Sequence, residues 1–142
     1  MTSVPWLTLI GMDACGFASL SAEACAAVRA ASVIMGPPRH LSMLPELPAQ
    51  KISWPAPFDA GRDDLLARRG KPVTVLVSGD PFWFGAGTQI VQNLDRSEWC
   101  ALPGRSCFSL AASALGWAID SSFAFGLHAV PFSRLRPHLC PG

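Results

Sequence analysis

The chain has 142 residues, half of them apolar and 15% charged, with eleven basic and ten acidic side chains leaving a net charge of +1. That composition excludes intrinsic disorder, which needs low hydrophobicity and high net charge, and it offers no cationic surplus for a nucleic-acid surface. No charge-free apolar run approaches the roughly 18 residues of a membrane span.

The apolar stretch from Val4 to Met12 has no Lys or Arg before it, the first being Arg29. It therefore does not read as a secretory signal, and a cytoplasmic protein is expected. Cys15, Cys25, Cys100, Cys107 and Cys140 make an odd set with no C-x-x-C pair. With three scattered histidines they form no zinc pattern, so no metal is expected. Buried or half-buried thiols in a reducing compartment are the simplest reading.

In chain order, Trp6 to Ile10 (WLTLI) reads as a buried strand, followed by a loop of small residues, GMDACGFASL. Ser21 looks like a helix N-cap, with Glu23 in the first turn where the helix dipole favours an acid. Ala24, Ala27, Val28 and Ala31 then recur at helical spacing. Ser32 to Met35 is a second short strand, stopped by Gly36-Pro37-Pro38. Arg39 to Leu44 suits a helical turn, and Lys51 to Trp54 a third strand.

Asp59 is the expected N-cap of the next helix, which Gly70 and Pro72 stop. Val73 to Val77 (VTVLV) has no polar alternation, so it should be buried on both faces, as in a parallel sheet. After SGDPFWFGAG come a helix near Thr88 to Leu94, a fifth strand from Trp99 to Leu102, and a helix from about Ser106 to Gly116. That last helix carries Phe108, Ala111, Ala112 and Leu115 on one face. Phe123 to Val130 is one further strand candidate, and the last twelve residues suggest no firm element.

Strand–helix alternation implies a three-layer α/β domain with a mostly parallel sheet. Ligands of such sheets sit outside the carboxyl ends of the strands. That leaves three candidate loops: residues 11–20, 78–87 and 103–107. Ser78-Gly79-Asp80-Pro81 follows the clearest strand directly; Gly79 permits close backbone approach or φ > 0, and Asp80, held extended by the proline after it, has a carboxylate free to accept hydrogen bonds. With Phe82, Trp83 and Phe84 alongside, this loop suits a planar organic ligand better than a phosphate. A simple strand-to-helix turn is the other reading.

Gly11 and Gly16 flank the first loop, which is neither a G-x-G-x-x-G dinucleotide loop nor a P-loop. Pro103-Gly104-Arg105-Ser106-Cys107 joins a turn to a helix N-terminus, where free N–H groups could meet a ligand's polar atoms; an ordinary N-cap explains it equally. Arg39 and His40 are candidates for meeting substrate carboxylates, Arg supplying forked donors. No residue stands out as a catalytic acid, base or nucleophile.

Five segments together resemble a known family: LIGMDACGFASLS, GPPRHLSMLP, WPAPFD, VLVSGDPFWFGAG and LPGRSCFSLAASALGW. They run from about residue 6 to 120, and the chain resembles the N-terminal domain of the tetrapyrrole methylases. Within the family it is most similar to the members that methylate a precorrin at C5 in cobalamin biosynthesis.

The resemblance implies an S-adenosylmethionine-dependent methyltransferase of two α/β domains with the cofactor between them. It implies cofactor contacts from Gly11, Ser78, Gly79, Asp80, Ser106 and Cys107, and a precorrin as substrate. Residues 1–120 would be the N-terminal domain and 121–142 the start of an inter-domain connection, with the second domain missing. A homodimer or a separate C-terminal domain would then complete the pocket, and the chain alone is expected to show no appreciable methyl transfer. A catalytically silent cofactor-binding or interaction domain is the alternative. The chain departs from the family pattern at Asp13, where a glycine is usual, at Arg105, where a smaller residue is common, and over Gly126–Pro131.

Overall fold

The computed structural model describes residues 4–127 and 130–139. Five strands, β1 (Leu7–Met12), β2 (Val33–Gly36), β3 (Gln50–Ser53), β4 (Val73–Ser78) and β5 (Trp99–Leu102), form one sheet in the order β3-β2-β4-β1-β5. Every pairing is parallel. Helices α1 (Ala22–Ala30), α2 (Pro38–Ser42), α3 (Phe58–Leu66) and α4 (Gly87–Val91) provide the crossovers, and α5 (Cys107–Leu115) follows β5. The α/β class read from the sequence is the class observed.

The chain divides into two compact units, one up to Cys107 and one from Phe108. In the first, the sheet buries side chains on both faces. Leu7, Leu9, Val73, Val75, Val77 and Met35 pack with Leu65 of α3 and Ile90 of α4. Ile10, Met12, Ile34 and Leu76 pack with Ala24 and Val28 of α1. Successive strand residues thus serve opposite faces, which is why VTVLV shows no polar alternation. Each fully buried Leu or Ile contributes about 1.5–3 kcal/mol relative to exposure.

Local chemistry sets the helix starts. The Ser21 hydroxyl accepts a hydrogen bond from the Ala24 N–H at 3.1 Å, with Glu23 in the first turn of α1. Asp59 is not the N-cap of α3. The helix starts after Pro57, and Asp59 lies in its first turn, 3.5 Å from Arg62. Trp54 explains the earlier start, because its Nε1–H donates to the Phe58 carbonyl at 3.1 Å and its ring stacks on Phe58 at 5.2 Å.

The amino edge of the sheet is fastened by Glu98. Its carboxylate accepts from Trp6 Nε1 at 3.0 Å, from Arg69 Nε and Nη2 at 2.6 and 2.5 Å, and from the Asp95 N–H at 2.9 Å. The Arg69 guanidinium, then the Asp95 and Trp6 donors, hold the Glu98 carboxyl down at about 2.

The second unit contains most of α5, a 3-10 turn at Ile119–Ser121 and a 3-10 helix at Phe132–His138. The strand expected over Phe123 to Val130 does not form across 123–127, and residues 128 and 129 lie outside the described residues. A strand needs a ladder for its backbone groups, and this segment instead sets Phe125 against the His138 ring at 4.7 Å. The apolar face of α5 is not buried, and Leu115 is 58% exposed. Cys25 and Cys100 are half-buried as expected, but Cys15 and Cys107 are exposed; Cys140 lies outside the described residues. Among the described residues, no helix is long and apolar enough to cross a membrane.

Candidate functional site

Because β1 lies between β4 and β5, the loops leaving the carboxyl ends of these three strands are neighbours. The register sets Gly11 beside Val77 and Met12 beside Ser78, and the Gly79 N–H donates to the Met12 carbonyl at 2.9 Å. The three loops then cross on glycine backbones. A Cβ on Gly104 would sit 2.5 Å from the Gly11 carbonyl oxygen and 2.8 Å from that of Gly79, and a Cβ on Gly11 would strike the Gly79 carbonyl oxygen and the Gly104 backbone. Gly79 has φ +60°, with Arg105 O and Ser106 Cα each 3.3 Å from where its Cβ would be. Side chains would force these loops apart.

The candidates Gly11, Ser78, Gly79, Asp80, Ser106 and Cys107 therefore belong to one cluster of loops at the carboxyl edge. Gly79 meets the requirement for positive φ, and the third loop is the backbone that approaches it. Asp80 Oδ1 accepts the Phe82 N–H at 2.8 Å, closing a short turn, while Oδ2 keeps its acceptor capacity.

Asp13 and Arg105 supply a contact that the sequence pattern showed only as two separate departures. Arg105 donates from Nε to Asp13 Oδ2 at 2.8 Å, and its Nη2 lies 2.6 Å from the same oxygen as an ion pair. Asp13 Oδ1 accepts from the Cys15 N–H at 2.8 Å and the Ser19 hydroxyl at 2.7 Å. Three hydrogen bonds and the Arg105 charge thus engage both carboxylate oxygens. Burial pushes the Asp13 carboxyl up, but the Ser19, Cys15 and Arg105 hydrogen bonds outweigh it and hold it below its ordinary value. No spacing rule connects positions this far apart in sequence, so the pairing is visible only in the fold.

Arg39 and His40, on α2, part company. Arg39 is exposed and its Nη2 donates to the Ser78 hydroxyl at 2.5 Å, so it adjoins the β4 loop. His40 is 3% exposed, and its Nδ1 is buried without a partner. Burial, then the neighbouring Arg39 charge, pushes the His40 imidazole below its ordinary value. A neutral, enclosed ring is a poor match for a carboxylate.

A cavity of about 310 Å³ opens beside Ser78, walled by Trp54, Phe58, Phe84 and Ile90. Phe84 holds φ +50°, a left-handed conformation for a bulky residue, which costs about 1–3 kcal/mol. The sequence set Phe84 in the candidate loop after β4; it gave no sign that Trp54 and Phe58, from the turn after β3, would join it.

Comparison with known proteins places these features in context. Residues 7–138 match the family model described as Tetrapyrrole (Corrin/Porphyrin) Methylases. The chain is 41% identical over 139 residues to precorrin-6Y C(5,15)-methyltransferase [decarboxylating] of a Sinorhizobium species, spanning 97% of this chain and 34% of that protein. It is 28% identical over 134 residues to cobalt-precorrin-7 C(5)-methyltransferase of Salmonella typhimurium, spanning 93% of this chain and 67% of that one. The crystal structure of uroporphyrin-III C-methyl transferase from Thermus thermophilus, complexed with S-adenyl homocysteine, superposes with a TM-score of 0.56 at 26% identity, over 76% of this chain and 47% of that one. The chain thus spans about a third of the length of the first relative and two thirds of the second, and it belongs to the tetrapyrrole methylase family.

Proposed function

We propose that the chain takes part in S-adenosylmethionine-dependent methylation of a precorrin at C5, a cytoplasmic step of cobalamin biosynthesis. The observation that carries this reading is the crossing of the β1, β4 and β5 loops on glycine backbones, beside an aspartate with a free carboxylate oxygen. Both curated relatives named above are C5 methyltransferases, which supports the position on the substrate.

The residues present fit the cofactor. Asp80 Oδ2 is an acceptor for an ammonium or hydroxyl group, and Ser78 and the backbone of Gly79, Ser106 and Cys107 surround the same edge. S-adenosylmethionine, when bound, supplies an electrophilic methyl group on a sulfonium. The chain's own contribution is positioning, which can lower a barrier by several kcal/mol without a protein nucleophile.

Arg39 donates to Ser78, one of the residues that line the aromatic cavity, and its charge suits the carboxylate side chains of a precorrin. The cavity's apolar walls exclude water and accept an organic surface, not a phosphate chain. The covering walls come from the rest of a longer enzyme or from a second chain.

Titrating the 142-residue chain with S-adenosylhomocysteine by calorimetry tests the cofactor assignment. Saturable binding that Gly79→Val abolishes is the expected result. A folded chain that gives no binding heat at millimolar ligand rejects it.

A further inference from the structure

We propose that Asp13 and Arg105 form a positioning pair, a charged strut that holds the third loop, and with it Ser106 and Cys107, in register with the first loop and with Gly79. This rests on the reading of the loop cluster as a methyl-donor site.

The geometry is asymmetric in a way that suits a strut. The Asp13 side chain is 4% exposed and hydrogen-bonded at both oxygens, whereas that of Arg105 is 53% exposed. Asp13 is also tied to its own loop, since the Gly16 N–H donates to its carbonyl at 3.1 Å and the Cys15 N–H and Ser19 hydroxyl hold its carboxylate. It is the fixed end. Arg105 is the reaching end, and both of its contacts fall on Oδ2.

On the other side of the third loop, backbone meets backbone. Gly104 is pressed against the carbonyls of Gly11 and Gly79, and Arg105 O lies 3.3 Å from the Gly79 Cβ position. Steric contact therefore stops the loop from moving toward the sheet. Steric contact cannot stop it from lifting away, and the ion pair supplies that restraint. Without Arg105, the buried Asp13 carboxylate keeps only the two donors of its own loop, and the third loop loses its tether on this side.

The pair does not itself touch the donor on this account. The Asp13 side chain is buried, and both of its carboxylate oxygens already serve its own loop and Arg105. Its effect passes through the placement of residues 104–107, where an error of about 1 Å in a positioning site costs about a hundredfold.

The test uses Arg105→Ala, Arg105→Lys and Asp13→Asn in the 142-residue chain, with two readouts. The first is the backbone NMR order parameter without ligand. The strut predicts lower order at residues 104–107 in Arg105→Ala and Asp13→Asn, with β4 unchanged. The second is calorimetric affinity for S-adenosylhomocysteine. Arg105→Ala should weaken it about tenfold or more, Arg105→Lys should recover most of that loss, and adding Asp13→Asn to Arg105→Ala should cost little further, because coupled residues are not additive.

Unchanged order parameters at 104–107 in Arg105→Ala overturn the proposal, as does full affinity in that variant. Losses that multiply in the double variant overturn it too. If the parent chain binds no S-adenosylhomocysteine, the donor-site reading fails, and the order parameters still decide whether the strut exists. Arg105→Ala removes a half-exposed side chain, so it keeps the test interpretable should Asp13→Asn fold poorly.

Discussion

Gly104→Ala puts the loop crossing under direct strain. Gly104 has no need of a left-handed backbone; its constraint is space. The added methyl would stand 2.5 Å from Gly11 O, 2.6 Å from Gly11 C and 2.8 Å from Gly79 O, against an ordinary contact that begins at 3.4 Å. Relief requires the loops to separate by roughly 0.6–0.9 Å, and every atom in the way is backbone, of β1 at Gly11 and of the residue directly after β4 at Gly79. Overpacking of this kind costs typically about 1–3 kcal/mol, and the rigid neighbours put this site at the upper end. For a domain of this size that lowers the melting temperature by about 5–10 °C. The same displacement should weaken S-adenosylhomocysteine binding by about a hundredfold. Gly70→Ala is the control. At φ +82° with nothing within 4 Å, it bears only the left-handed backbone cost, about 1–2 kcal/mol, and should leave ligand affinity intact. Thermal unfolding and calorimetry of both variants decide the matter. Parent-like stability and affinity in Gly104→Ala would refute the account of the crossing.

Other outcomes follow from the same structure. His40 is pushed below its ordinary 6.5, so the unfolded chain binds its proton more readily. Stability is then fully present above about pH 6.5 and falls as the pH drops below it, and denaturant midpoints of His40→Leu should lose that part of the slope. Glu98 is held down at about 2 against an ordinary 4.5. Its contribution is present above pH 4.5 and vanishes as the pH falls toward 2, and acid unfolding of Glu98→Gln should show a shallower limb across that window. Arg39→Ala should weaken binding of a polycarboxylate tetrapyrrole such as uroporphyrin by about 1.5–3 kcal/mol, one charged hydrogen bond, while leaving S-adenosylhomocysteine affinity nearly unchanged. Fluorescence titration measures the first and calorimetry the second, and equal losses for both ligands would count against a substrate role.

The sequence carried the elements whose signals are local. Apolar runs broken by a single threonine marked β1 and β4, and Ser21 with Glu23 marked the start of α1. It misplaced the start of α3 because an aspartate in a first turn looks like a cap until Trp54 is seen holding Phe58. It offered Phe123 to Val130 as a strand because apolar runs do not reveal whether a partner strand is available. Of the candidate site, the glycine loops were legible from their place after strands. The Asp13–Arg105 pair, the Arg39–Ser78 contact and the aromatic wall were not, since each joins segments that only the β3-β2-β4-β1-β5 order brings together. Arg39 and His40, adjacent in sequence, were read as a pair; α2 sends one outward and buries the other.

The central position of β1 has a consequence for how the chain is made. Leu7 pairs with Val73 on one side and with Trp99 on the other, so the first strand to leave the ribosome is among the last to find its neighbours. Every sheet contact of β1 closes a long loop, and such non-local pairing slows folding. During that interval the run from Leu7 to Met12 has no partner and remains available to other chains. Yield in the cell should therefore depend on chaperone capacity and on the rate of synthesis through residue 102 more than on the equilibrium stability of the finished sheet.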